Sequence, residues 1–129
     1  MKVLLDTHVW VWMCVEPERL SRHARTSISK AETRCVSVLS AWEIALLVTR
    51  ERLCLSMPLQ DWIAESVAQA ELSVRSLTLS EVMESTRLPE PLHRDPVDRF
   101  LVATARANDL ALITADRRLR DYAHVRTVW

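Results

Sequence analysis

The sequence predicts a three-layer α/β/α sandwich built around a central parallel sheet of about four or five strands. Short runs rich in Val, Leu and Ile recur along the chain, at Val3 to Leu5, Cys35 to Leu39, Leu72 to Leu77, Ala111 to Thr114 and His124 to Val128. Each has strand length and polar boundaries. Longer segments with helical spacing lie between them, and strands that alternate with helices require crossover connections. Such connections give a parallel sheet covered on both faces.

The helices follow from spacing and capping chemistry. Ser21 to Glu32 and Leu59 to Ala70 have helical spacing, and a shorter helix is expected near Ser80 to Arg87. Ser40 and Glu43 match the S-x-x-E capping box and open AWEIALLV, in which Trp42, Ala45, Leu46 and Thr49 fall near one face. Trp10, Trp12 and Trp62 also lie in helical segments, and the four tryptophans are expected in the core or at a dimer interface. Leu88 to Arg94, with Pro89 and Pro91, reads as a loop. Asp95 before Pro96 is an N-cap with proline at the first helical position, opening VDRFLVATARA. Asp116, after ALIT and before RRLRDYA, is a further N-cap-like start. No internal repeat or long linker divides the chain, so residues 1–129 are read as one domain.

Composition excludes several function classes. A chain of 129 residues suits one domain that buries roughly two thirds of the surface its unfolded form exposes. The formal net charge is zero, so no global basic field steers a polyanion and any phosphate binding has to be local. Only Lys2 and Lys30 among the basic residues are lysines; the arginines carry a planar fork suited to phosphate oxygens. Glycine is absent, which excludes dinucleotide-binding turns and phosphate loops, since both need close backbone approach. Cys14, Cys35 and Cys54 are odd in number and form no C-x-x-C pair, and are expected as small core residues. The apolar run before Asp6 is too short for a secretory signal and no run could span a membrane, so a cytoplasmic location is expected.

The acids carry the chemistry. Asp6 directly follows VLL, Asp116 lies just past a later strand, and Glu43 and Asp98 fall in the first turns of helices. In a parallel α/β sheet these positions share one edge, where open sheets place their sites. Carboxylates gathered in a crevice repel one another and need protons or a cation to offset the charge. An all-oxygen set favours a hard divalent ion, Mg²⁺ or Mn²⁺, with zinc disfavoured. Such an ion activates water and neutralises a phosphodiester oxygen, so metal-assisted phosphodiester hydrolysis is the reaction implied. Singly, Glu43, Asp95 and Asp98 are explicable by the helix dipole, and Asp116 by capping. Asp6 has no evident helix start of its own to explain it.

The runs VLLDTHVWVW, SAWEIALL, HRDPVDRFLVATA and LALITADRRL, in that order, resemble the PIN domain family, and in particular the short VapC-type toxins of bacterial toxin-antitoxin pairs. The resemblance implies a three-layer fold with a parallel sheet, Mg²⁺- or Mn²⁺-dependent endoribonuclease activity on RNA, and a homodimer neutralised by a cognate antitoxin. The family's acids match Asp6, Glu43, Asp98 and Asp116 as catalytic and metal-binding residues. Asp95 is the alternative third acid; the D-x-x-L-V-A-T-A run favours Asp98. Thr7 and Thr114 flank the first and last acids as possible auxiliaries, Thr7 more readily as a structural cap. Glu51 to Leu92 carries no motif.

Arg94, Arg99 and Arg117 are candidate phosphate contacts, along with the neighbouring His93, Arg118 and Arg120. His8, two residues past Asp6, is a poor general-base candidate, since its side chain is expected to point elsewhere. Two rival readings remain. A receiver-type phosphoacceptor domain also gathers acids at this edge but needs a late lysine, which is missing. A degenerate PIN-like module would bind RNA or protein without cutting.

Overall fold

Lys2–Leu5 (β1) is the centre of the sheet in the computed structural model, which describes residues Met1–Trp129. Thr33–Ser37 (β2) and Leu72–Arg75 (β3) extend it to one side, and Ala111–Ile113 (β4) and Thr127–Val128 (β5) to the other. The order is β3-β2-β1-β4-β5 and every pair is parallel. Val3 pairs with Arg34 on one side and Ala111 on the other. Successive strands run outward from β1 in one direction, then β4 starts on its opposite side. The chain order therefore reverses beside β1, and the carboxyl ends of β1 and β4 border the resulting crevice.

Alternation along the strands divides the interior in two. Val3, Leu5, Val36, Ala111 and Ile113 face one layer, and Leu4, Cys35 and Leu112 face the other. The first layer comprises Thr7–Val15 (α1), Arg22–Lys30 (α2), Val38–Thr49 (α3) and Leu59–Gln69 (α4), which contribute Trp10, Ala24, Ile44 and Trp62. The second holds Leu79–Ser85 (α5), Pro96–Ala107 (α6) and Arg117–Arg120 (α7); Leu101, Val102 and Leu119 from the latter two are fully buried. These are the three layers and five parallel strands expected. No helix is long and apolar enough to cross a membrane.

Several boundaries differ from expectation for local reasons. Helix α3 starts three residues early: the Ser37 hydroxyl accepts from Leu39 N at 3.1 Å, so Ser37 is the cap and Ser40 lies buried in the first turn. Strand β2 consequently stops at Ser37 rather than Leu39. Strand β3 ends at Arg75, ahead of the Thr78–Glu81 capping box that opens α5. Helix α7 has a single turn, and β5 is reduced to two residues. Asp6 does have a helix start of its own, because it is the N-cap of α1. Of the cysteines only Cys35 is buried; Cys14 and Cys54 are exposed.

With no glycine available, the chain leaves α3, α4 and α6 through Glu51, Glu71 and Asp109, all at φ between 52 and 58°. These are left-handed positions that glycine fills at no steric cost, whereas a side chain there costs roughly 1 kcal/mol.

Candidate active site

Each expected acid is delivered by a different element. Asp6 directly follows β1 and is only 4% exposed. Its Oδ1 accepts the Thr7 N–H at 2.8 Å and its Oδ2 accepts the Thr114 hydroxyl at 2.7 Å. The same Thr114 oxygen accepts the Asp116 N–H at 3.0 Å. One hydroxyl thus ties the end of β1 to the turn after β4, across the reversal point. Glu43 projects from the second turn of α3, where Thr7 Oγ1 donates to its carboxylate and stands 2.9 Å from Ser40 Oγ. Asp98 lies in the first turn of α6 and is 8% exposed. Asp116 caps α7.

All four line a single cleft of about 750 Å³, together with Asp95. Asp95 and Asp98 are distinguished by their bonding. Asp95 Oδ1 accepts Val97 N–H at 3.1 Å and Asp98 N–H at 3.4 Å, which is the helix cap. The Asp98 side chain instead faces His93 Nε2, 2.6 Å from its Oδ2, and Arg118, whose guanidinium is 3.8 Å away. Arg118 also holds Asp116 Oδ2 at 2.9 Å.

This ordered arrangement coincides with a family match. The family model described as PIN domain matches residues 3–125. The chain belongs to the PIN domain family. It is also 39% identical over 129 residues, 98% of each chain, to Ribonuclease VapC22 of Mycobacterium tuberculosis (strain ATCC 25618 / H37Rv). In fold it resembles VapBC2 from Rickettsia felis, solved in a crystal bound to a DNA fragment from its promoter, with a TM-score of 0.70 at 13% identity, covering 98% of this chain and 97% of that one. A toxin-antitoxin complex from Klebsiella pneumoniae matches with a TM-score of 0.65 at 16% identity, covering 96% and 95%.

The PIN domain's cleft is electrostatically loaded. Burial, above all, raises the Glu43 carboxyl, and the charges of Asp6, Asp95 and Asp98 add to it against the Thr7 hydrogen bond. Asp98 is pushed up to about 6, first by burial; the hydrogen bond from His93 opposes the shift, and the charges of Asp6 and Asp95 reinforce it. Asp116 moves the other way, held low mainly by its hydrogen bonds from Arg118. The donor set therefore suits a divalent cation: buried carboxylates with raised affinity for protons have charge that a cation would offset.

A pH dependence follows. A carboxyl whose folded value exceeds its unfolded one contributes stability that is complete below its unfolded pKa and lost as pH rises through the folded value. Without metal, the PIN domain is expected to lose on the order of 1 kcal/mol between roughly pH 4 and pH 7 from Asp98, after allowance for solvent screening. Divalent cation should restore that stability above pH 6 or so, where the competing proton has left. Melting curves in chelator and in Mn²⁺ across that window check this; a chelator profile that stays flat would refute it.

The basic residues are placed differently from expectation. Arg99 does not reach the cleft: its guanidinium donates to the carbonyls of Ser85, Leu92 and His93 and to Glu90, bracing the loop before α6. Arg117 lines a separate hollow with His23 and Arg120, and Arg94 is exposed outside the acid cleft. The cleft's arginines are Arg118 together with Arg19, Arg50 and Arg52. On α3, Trp42, Glu43, Leu46, Leu47 and Arg50 share one stripe, and it faces the cleft. Trp42 is accordingly not core but 54% exposed at the rim.

His8 also departs from expectation, because its ring turns into the cleft. Nδ1 is 3.6 Å from Asp6 Oδ2, and Nε2 accepts the Ala115 N–H at 3.0 Å. Burial lowers its pKa. The neutral ring then carries its proton on Nδ1 and has no lone pair free to act as a base.

Proposed function

We propose that this chain is a metal-dependent endoribonuclease that hydrolyses RNA phosphodiester bonds, and that it serves as the toxin of a type II toxin-antitoxin pair. The observation that carries the reading is the meeting of Asp6, Glu43, Asp98 and Asp116, from four separate elements, in one cleft. The 39% identity to a ribonuclease supports it.

Asp6, Glu43, Asp98 and Asp116 would hold Mg²⁺ or Mn²⁺, hard ions suited to carboxylate oxygens. When bound, the ion activates water and neutralises charge on the phosphodiester. The remaining work belongs to the chain. Thr114 fixes the rotamer of Asp6 and Thr7 that of Glu43, so that the carboxylates are oriented before substrate arrives. Trp12, Val15, Leu46 and Leu53 give the cleft an apolar wall, and Arg19, Arg50 and Arg52 supply positive charge where an RNA backbone would run. Arg118 neutralises Asp98 and Asp116 and has to yield when a cation enters.

The solved relatives described as VapBC2 and as a toxin-antitoxin complex support a cognate antitoxin as partner; a homodimer is proposed on the family resemblance. The test has two parts. Purified protein should cleave RNA with Mg²⁺ or Mn²⁺ and lose that cleavage in chelator. Expression alone should arrest growth, and co-expression of the neighbouring reading frame should relieve it. Cleavage that persists in chelator would overturn the mechanism, and harmless expression of active enzyme would overturn the toxin role. A folded, metal-replete protein without cleavage would favour the non-catalytic binding module.

A further inference from the structure

Two imidazoles border the acids, and they differ in how their protons are placed. In His8 the Ala115 N–H occupies Nε2, so the proton is fixed on Nδ1 and neither nitrogen can ligate a metal. His93 is not constrained in this way. Its Nδ1 is buried and has no hydrogen-bond partner, so only the Asp98 carboxylate, which accepts from Nε2, holds the proton there. Once a cation takes the Asp98 oxygen, the proton can move to Nδ1 and Nε2 can present its lone pair.

The ring is also held in place from outside the cleft. Its loop is pinned by Arg99, which donates to the Leu92 carbonyl at 3.1 Å and the His93 carbonyl at 3.4 Å, and by Tyr122, whose hydroxyl donates to Pro89 O at 2.7 Å. Leu88 and Leu92 anchor the same loop in the core. The result is that Nε2 and one oxygen each from Asp98 and Asp116 lie within 4.8 Å of one another. Ligands on opposite sides of an ion with bonds of about 2.1 Å are about 4.2 Å apart. A set that spans 4.8 Å closes around one ion with a displacement of roughly half an ångström.

We propose that His93 is itself a ligand of the cleft's divalent cation, binding through Nε2 beside Asp98 and Asp116, so that the site is a mixed nitrogen and oxygen site. This rests on the metal-dependent reading above and changes what it selects. An imidazole nitrogen shifts preference from Mg²⁺ toward Mn²⁺ and Co²⁺, because affinity for nitrogen donors rises along the transition series. On binding, the ring would take the Nδ1–H tautomer, whose buried N–H lacks an acceptor, so the Nε2–metal bond has to offset that cost.

The experiment is pulsed electron paramagnetic resonance of Mn²⁺ bound to the full chain, with calorimetric titration of Mn²⁺, Co²⁺ and Mg²⁺. The expected result is nitrogen hyperfine coupling in the wild-type protein that disappears in His93→Gln, which retains a polar group beside Asp98. In that variant affinity for Mn²⁺ and Co²⁺ should fall on the order of tenfold or more, with a smaller change for Mg²⁺. Mn²⁺ bound to wild type without nitrogen coupling, or coupling that survives in His93→Gln, overturns the proposal and leaves the carboxylate site standing. Failure of Mn²⁺ to bind at all overturns both.

Discussion

Asp98→Asn is expected to reduce RNA cleavage on the order of 1000-fold or more while leaving the metal-free protein at least as stable as wild type at neutral pH. Two effects separate here. For activity, the variant removes a charge from the carboxylate set that would hold the ion. For stability, it removes a buried carboxylate that is raised to about 6 by burial and by the charges of Asp6 and Asp95. A neutral amide of the same shape no longer has to ionise, and its oxygen still accepts from His93. Asp6→Asn makes the informative contrast. Asp6 Oδ2 accepts the Thr114 hydroxyl and Oδ1 accepts the Thr7 N–H. An amide can keep only one of these acceptors, so that variant should lose activity and about 1 kcal/mol of stability. Cleavage of labelled RNA in Mn²⁺, with melting in chelator, checks both. An Asp98→Asn enzyme within tenfold or so of wild type would refute the assignment.

Trp10→Ala should be the most damaging single change to the fold, lowering stability by about 3 to 5 kcal/mol. Trp10 is completely buried in the first layer. Its ring lies 5.9 Å from that of Trp62, centroid to centroid, and its Nε1 donates to Ser66 Oγ at 3.1 Å. One residue therefore joins α1 to α4 under the sheet, and truncation leaves both a cavity and an unpaired acceptor. The melting temperature should fall by roughly 10 to 20 °C. Trp10→Phe, which keeps an aromatic contact but not the donor, should fall by about half as much or less. Urea unfolding of the three proteins measures this, and a loss under about 1 kcal/mol for alanine would contradict the packing.

How much of this was legible depended on the range of the interaction concerned. The β1 and β4 runs and the Asp95–Pro96 helix start are local signals and lie where spacing puts them, and the four acids line one cleft. Ser37 and Ser40 are equally good caps in isolation; what separates them is that Ser40 is buried against Thr7, a contact between residues 33 apart. The direction of the His8 ring depends on an amide 107 residues away. His93 lay outside any ligand pattern because its position is set by Arg99, Leu92 and Tyr122 rather than by a helical or strand period. The rim arginines escaped for a similar reason: spacing identifies residues on one helix face, but not which face borders a cleft.

The hydrogen bond from Thr114 to Asp6 joins the turn after β4 to the end of β1 across 108 positions. During synthesis, β1 with its acid leaves the ribosome well before β4. Strand β1 can pair with β2 early, yet the fourth acid and the threonine that orients the first arrive only with β4 and the turn after it. An incomplete nascent chain therefore lacks a finished cleft.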